Sequence, residues 1–158
     1  MHIHAHHEYA AEPRLVHDML ISEEFLRRVV AKFDATSSAV SVQDGRSSVE
    51  LEMDAPEQVR KIIGASLRVS QNTEWLPLAG DGTSSGTVSA TVAGMPAQLL
   101  GVAKLAPGGK GTTVDYDGTF EIKLPLIGNK LASVAYPYVM KVLNVQQPVG
   151  DAFLAENA

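Results

Sequence analysis

The feature that most constrains this chain is a change in the period of its apolar residues. Between residues 39 and 124, apart from an interlude at 56–64, they recur at every second position in short runs separated by turn-forming segments. Between residues 127 and 153 they recur every third or fourth position. A period of two belongs to strands with one buried face, and a period near 3.6 to a helix with an apolar stripe. Strands joined by such short turns run antiparallel, because a parallel pair needs a crossover of a dozen or more residues. The chain therefore predicts an antiparallel meander whose apolar face is covered by one long C-terminal helix.

The runs can be followed one by one. Val40 and Val42 precede Asp44-Gly45, and Val49, Leu51 and Met53 follow it, which is the signature of a tight hairpin. "PEQVRKIIG" has Val59, Ile62 and Ile63 at helical spacing and Gly64 as its stop; it is either a lid or a plain packing helix. "SLRVSQNTEW" places Leu67, Val69, Gln71, Thr73 and Trp75 on one face. "PLAGDG", "GMP" and "APGGKG" are turns, and "SGTVSATV" is the strand between the first two. "AQLLGVAKL" turns Ala97, Leu99, Gly101, Ala103 and Leu105 inward. "TTVDYDGTFEIKL" is a long strand with Val114, Tyr116, Phe120, Ile122 and Leu124 on its apolar face. The final helix carries Leu131, Val134, Tyr138, Val142, Val149 and Phe153 in its stripe, and Pro137 and Pro148 are expected to kink or break it.

The N-terminal "MHIHAHHEYA" also alternates. His2, His4, His6 and Glu8 share one face; Ile3, Ala5, His7 and Tyr9 share the other. Two short amphipathic helices follow. Pro13 opens the first, with Leu15, Val16, Met19 and Leu20 as its stripe. Ser22 caps the second, whose stripe is Phe25, Leu26, Val29, Val30 and Phe33. The expected fold is thus α+β: a curved antiparallel sheet of about seven strands wrapped around a long C-terminal helix, with two short helices after the first strand. One domain spans residues 1–158.

Composition narrows the function. The net charge is -5 with no basic cluster, which argues against nucleic acid as a partner. There is no cysteine, so disulfides, thiolate metal sites and cysteine nucleophiles are excluded. No apolar run approaches the length of a membrane span, and no secretory leader is visible, so a cytoplasmic protein is expected. No hydrolase, metalloprotease or phosphate-loop motif is present, and "APGGKGTT" matches a phosphate loop in composition only. The outer histidines lie about 7 Å apart along the strand, but no carboxylate stands at a recognisable ligand spacing, so they read as a polar face. No cofactor and no metal are expected.

The order of elements resembles the helix-grip fold of the START, or birch-pollen-allergen-like, superfamily, also called SRPBCC. The phrases "EYAAEPRLVHDML", "LRVSQNTEW", "AGMPAQLLGVAKLAP" and "DGTFEIKLPLIGNKL" are similar to an actinobacterial SRPBCC family of unknown function. The resemblance covers essentially the whole chain and carries fold-specific phrases rather than catalytic motifs. It implies a cavity between sheet and helix. Relatives in the superfamily bind lipids, sterols, hormones or polyketides, and a few catalyse cyclisation or dehydration.

A curved sheet and a helix cannot close fully on each other, and small inward residues at Ala97, Gly101 and Ala103 would leave room beside Leu99. Gln71 and Thr73 add polar groups among apolar neighbours, as small-molecule sites do. Parity turns His7 inward, near Tyr9 and Tyr116, where it either orients a ligand or is a core histidine. Trp75, Phe120, Tyr138 and Val142 complete the candidate ligand-binding set. Three functions compete. Binding of a hydrophobic small molecule or lipid accords with the missing catalytic set. A polyketide cyclase, aromatase or dehydratase would use His7 and a tyrosine to move protons. A protein-interaction module, or a homodimer, would use the outward Leu100 and Val102. The two N-terminal helices are the other candidate to cover that pair.

Overall fold

A computed structural model describes all 158 residues. Its elements are β1 (His2–Tyr9), α1 (Pro13–Leu20), α2 (Glu23–Val30), β2 (Ala35–Gln43) and β3 (Arg46–Asp54). A 3-10 turn (Glu57–Val59) then runs into α3 (Arg60–Ile63). β4 (Ser66–Trp75), β5 (Ser84–Val92), β6 (Met95–Gly108), β7 (Gly111–Ile122) and α4 (Gly128–Glu156) complete the chain. The strands form one antiparallel sheet in the order β1-β7-β6-β5-β4-β3-β2. This is the expected α+β helix-grip architecture. The sheet is a meander from β2 to β7, and β1 closes onto β7.

Local chemistry explains most boundaries. Asp44 and Gly45 both take positive φ, at 52° and 78°, as a two-residue type I′ hairpin requires. The Ser22 hydroxyl accepts from the Phe25 N–H at the start of α2. In α1 the buried face is Val16, His17, Met19 and Leu20, while Leu15 is exposed, one position off the expected stripe. His17 is held there by a 2.8 Å hydrogen bond between its Nε2 and the Leu76 carbonyl. The turn between β5 and β6 is Ala93-Gly94, and Met95 and Pro96 already belong to β6.

α4 runs unbroken through Pro137 and Pro148, correcting the expected break. Both prolines lie on the exposed side, as do Ser133 and Asn144 four residues earlier, so water can reach the carbonyls that lose a donor. The helix packs mainly on β1, β7, α1 and α2. There Tyr9, Met19, Phe25, Leu105 and Val114 form a buried core with Val149 of α4. A second core joins Ile3, Ala97, Phe120 and Ile122 to Leu131 and Ala132. Val59 of the 3-10 turn belongs to this second core and Ile63 of α3 packs against it, while Ile62 is exposed, so the turn and α3 together behave as a packing element. Each fully buried apolar side chain contributes about 1.5–3 kcal/mol. The helix is thus fastened to one side of the sheet, and the wing made by β3, β4 and β5 stands away from it.

α2 pins the far end of α4. Arg28 pairs with Glu156 and with Glu24, and its guanidinium lies 5.3 Å from the centre of the Phe153 ring. Phe25 meets Phe153 edge-on at 6.1 Å. Lys141 lies over Phe33 at 5.7 Å. These contacts hold α2 across one end of the gap between helix and wing.

Candidate ligand cavity

The gap contains a cavity of about 160 Å³. Its sheet wall is built by parity: Val49 and Leu51 from β3, Val69 and Trp75 from β4, Val88 and Ala90 from β5. Leu99 and Tyr116 continue the wall on β6 and β7. Val139, Val142, Leu143 and Gln146 close it from α4, and Leu20, Phe25 and Leu26 from the N-terminal helices. Gly86 stands opposite Trp75 in the β4–β5 register, and a Cβ there would lie 2.9 Å from the indole. Its hydrogen therefore lets the indole lie flat on the next strand.

Polar groups interrupt the wall at two stations. On the sheet side, Ser47 is the register partner of Thr73, and Gln71 lies two residues away on the same face. The Gln71 amide donates to the Thr73 hydroxyl at 3.5 Å, the long limit of a hydrogen bond. On the helix side, the Tyr116 hydroxyl donates to Gln146 Oε1 at 3.2 Å. Burial disfavours the Tyr116 phenolate and raises its pKa, so the hydroxyl stays protonated.

Six of the residues expected to line a site meet at this cavity: Gln71, Thr73, Trp75, Leu99, Tyr116 and Val142. Six lie elsewhere. Ala103 and Tyr9 are fully buried in the first core, and Phe120 is buried in the second. Gly101 borders a void of about 30 Å³ behind Leu99 and Tyr116. The room thus comes from the separation of α4 and the wing, since Ala97 and Ala103 of β6 are already packed against. Tyr138 is 52% exposed, correcting its inward placement. In this half of α4 the buried face runs through Leu131, Ala132, Ala135 and Val139, and Tyr138 falls at its margin, where its hydroxyl meets water. Ser47 and Gln146 were missed because a polar residue inside an apolar pattern reads as a gap; the inward parity of Val49 and Leu51 was the available signal for the β3 wall.

His7 is the sixth. It faces inward and is buried, but it sits behind the cavity wall, its ring 5.4 Å from that of Tyr116 and 6.3 Å from that of Tyr9. Neither ring nitrogen, nor the Tyr9 hydroxyl, meets a protein hydrogen-bond partner. Desolvation is the main cause that lowers the His7 pKa, and the neighbouring His6 charge adds to it; Asp115 and Asp151 oppose both. An unfolded histidine titrates near 6.5. Below about pH 6.5 the unfolded chain therefore binds more protons than the folded one, and stability falls with pH by up to about 1.4 kcal/mol per unit until folded His7 protonates. His6 acts in the opposite sense. Its hydrogen bonds, first to Asp115 and then to Glu8, raise its pKa, so its contribution is complete below about pH 6.5 and is lost as pH rises through the folded value. The His6 side chain is 45% exposed, so screening keeps that contribution small. His7→Leu should flatten the acid-side slope of stability measured by urea unfolding. An unchanged slope would remove His7 from the account.

The outer face of β1 is lined by histidine–carboxylate contacts. His2 lies 2.9 Å from Asp117, His6 2.5 Å from Asp115, and His4 3.9 Å from Asp117. The polar outer face is the expected one, and its acidic partners come from β7, across the sheet. No three histidine, aspartate or glutamate side chains are grouped to hold a metal. Leu100 and Val102 are 50% and 49% exposed on the outer face of β6; the N-terminal helices pack on the inner face and leave them uncovered.

The sequence profile of a family described as "Protein of unknown function (DUF2505)" matches residues 4–154. No protein of curated function matches the chain. Among solved structures, the protein TTHA0849 from Thermus thermophilus is 17% identical with a TM-score of 0.62, covering all of both chains. A Thalictrum norcoclaurine synthase, a point mutant in complex with a transition state analogue, is 9% identical with a TM-score of 0.57, covering 100% of this chain and 96% of its own. Ara h 8.0201 is 12% identical with a TM-score of 0.53, covering 94% and 97%. At these identities the likeness is one of fold, and the fold is the birch-pollen-allergen-like helix-grip. No helix is long and apolar enough to cross a membrane.

Proposed function

The chain belongs to the DUF2505 family of proteins of unknown function, and we propose that it binds a hydrophobic small molecule or lipid between the β3–β6 wall and α4. The observation that carries this reading is the cavity of about 160 Å³, apolar except for Ser47, Gln71, Thr73, Gln146 and the Tyr116 hydroxyl. An engineered apolar cavity of about 150 Å³ accepts benzene, so the space is of ligand size. A neighbour of the same fold, norcoclaurine synthase, holds a transition state analogue, which supports a fold able to house a guest. The cytoplasm is the location this reading assumes, and an actinobacterial source accords with the wording of the chain.

Binding is favoured over cyclase or dehydratase chemistry by the composition of the wall. Proton transfer needs a group poised near the working pH within hydrogen-bond reach of the substrate. The only titratable wall residue is Tyr116, whose pKa burial raises, and His7 stands behind it. Native mass spectrometry tests the reading. The protein, purified without organic solvent, should carry a bound mass that is lost on denaturation, or should take up one 1-naphthylamine per chain. A chain that carries nothing and takes up no probe overturns it.

A further inference from the structure

The cavity's chemistry narrows the class of guest, and this step rests on the binding reading above. We infer that the site selects an uncharged, ring-sized apolar molecule bearing a hydroxyl or carbonyl group, and rejects the corresponding anion.

Two observations carry this. First, none of the nineteen residues lining the cavity is Asp, Glu, Lys, Arg or His. A carboxylate drawn into such a space loses its hydration and meets no countercharge, a cost an uncharged isostere avoids. A free fatty acid or an aromatic acid is thus a poor guest, whatever its apolar part. Second, the polar stations are neutral amides and hydroxyls with capacity to spare. Gln71 spends its amide nitrogen on Thr73, and its oxygen has no protein partner. Gln146 spends its oxygen on Tyr116, and its nitrogen has no protein partner. One wall therefore offers an acceptor and the opposite wall a donor, with apolar side chains between. A guest hydroxyl can donate to the sheet side, and a guest carbonyl can accept from the helix side. The volume limits the guest to about the size of one or two fused rings.

A matched pair separates charge from shape. Isothermal titration calorimetry with 2-naphthol and 2-naphthoate at pH 7.5 compares one ring system with and without the anion. Trp75, the single tryptophan and a wall residue, reports by its fluorescence whether the ligand occupies the cavity. The expected result is that 2-naphthol binds and quenches Trp75, while 2-naphthoate binds at least about a hundredfold more weakly. Naphthalene should bind about tenfold more weakly than 2-naphthol, and Gln71→Leu should bring that ratio close to one. If 2-naphthoate binds as well as 2-naphthol, the inference of an uncharged guest is overturned and the binding reading stands. If 2-naphthol, 2-naphthoate and naphthalene all fail to bind, both fall together. Equal affinity for naphthalene and 2-naphthol overturns the role of the polar stations.

Discussion

Ala90→Phe should abolish uptake of 2-naphthol, weakening it at least about a hundredfold, and leave the thermal midpoint within about 5 °C. Ala90 sits mid-strand on β5, in register with Gln71 on one side and Leu99 on the other, and its methyl group faces the gap. A phenyl ring tethered there is nearly the guest that a cavity of this volume accepts. Because it enters space rather than packed atoms, it escapes the usual overpacking cost of about 1–3 kcal/mol. The paired readouts matter. Lost binding with retained stability is the signature of a filled cavity. A destabilisation of about 1–3 kcal/mol would mean that α4 and the wing already interdigitate at Ala90. Calorimetric titration and thermal unfolding on the same sample decide between them.

Gly150→Leu should destabilise the fold by about 3 kcal/mol or more. Gly150 is buried in α4 where the helix crosses β1 and α1, and a Cβ there would lie 2.6 Å from Tyr9 Cε1 and 3.0 Å from Met19 Cε. The Met19 thioether is flexible and can yield, but the Tyr9 ring is wholly buried and cannot. A mid-helix glycine costs about 1 kcal/mol relative to alanine, so the substitution recovers some helix propensity. That gain is smaller than the cost of driving the helix off the Tyr9 ring. Gly150 is therefore the point at which α4 is clamped to one edge of the sheet, and the clamp leaves the opposite wing open. Urea unfolding measures the effect; a variant as stable as the parent would show that the helix does not approach β1 this closely.

Strand parity made much of this legible in the chain. The inward faces of β1, β4, β6 and β7 follow from alternation alone, because a one-residue slip would turn every apolar group to water. The Asp44-Gly45 hairpin and the Ser22 cap are local chemistry and need no tertiary context. What alternation cannot supply is which inward residues meet a helix and which meet a gap. Ala103 and Leu99 share a face of β6, yet one is packed and the other borders the cavity. That distinction depends on where α4 touches the sheet, a matter set by Gly150, Tyr9 and Met19, far apart in sequence. Partners on the neighbouring strand were hidden for the same reason: Asp117 beside His2 and Asp115 beside His6 stand more than a hundred residues away. Tyr138 misled because an amphipathic ring at the margin of a helical stripe fits either side of it.

A guest in the space between α4 and the β3–β5 wing should be visible in a crystal structure of the protein grown with 2-naphthol. Density for the ring system is expected beside Trp75 and Ala90, with its hydroxyl near Gln71 or Gln146. Leu26, Val142 and Leu143 collapsed across an empty gap, or the ligand seated instead on the outer face against Leu100 and Val102, would contradict it.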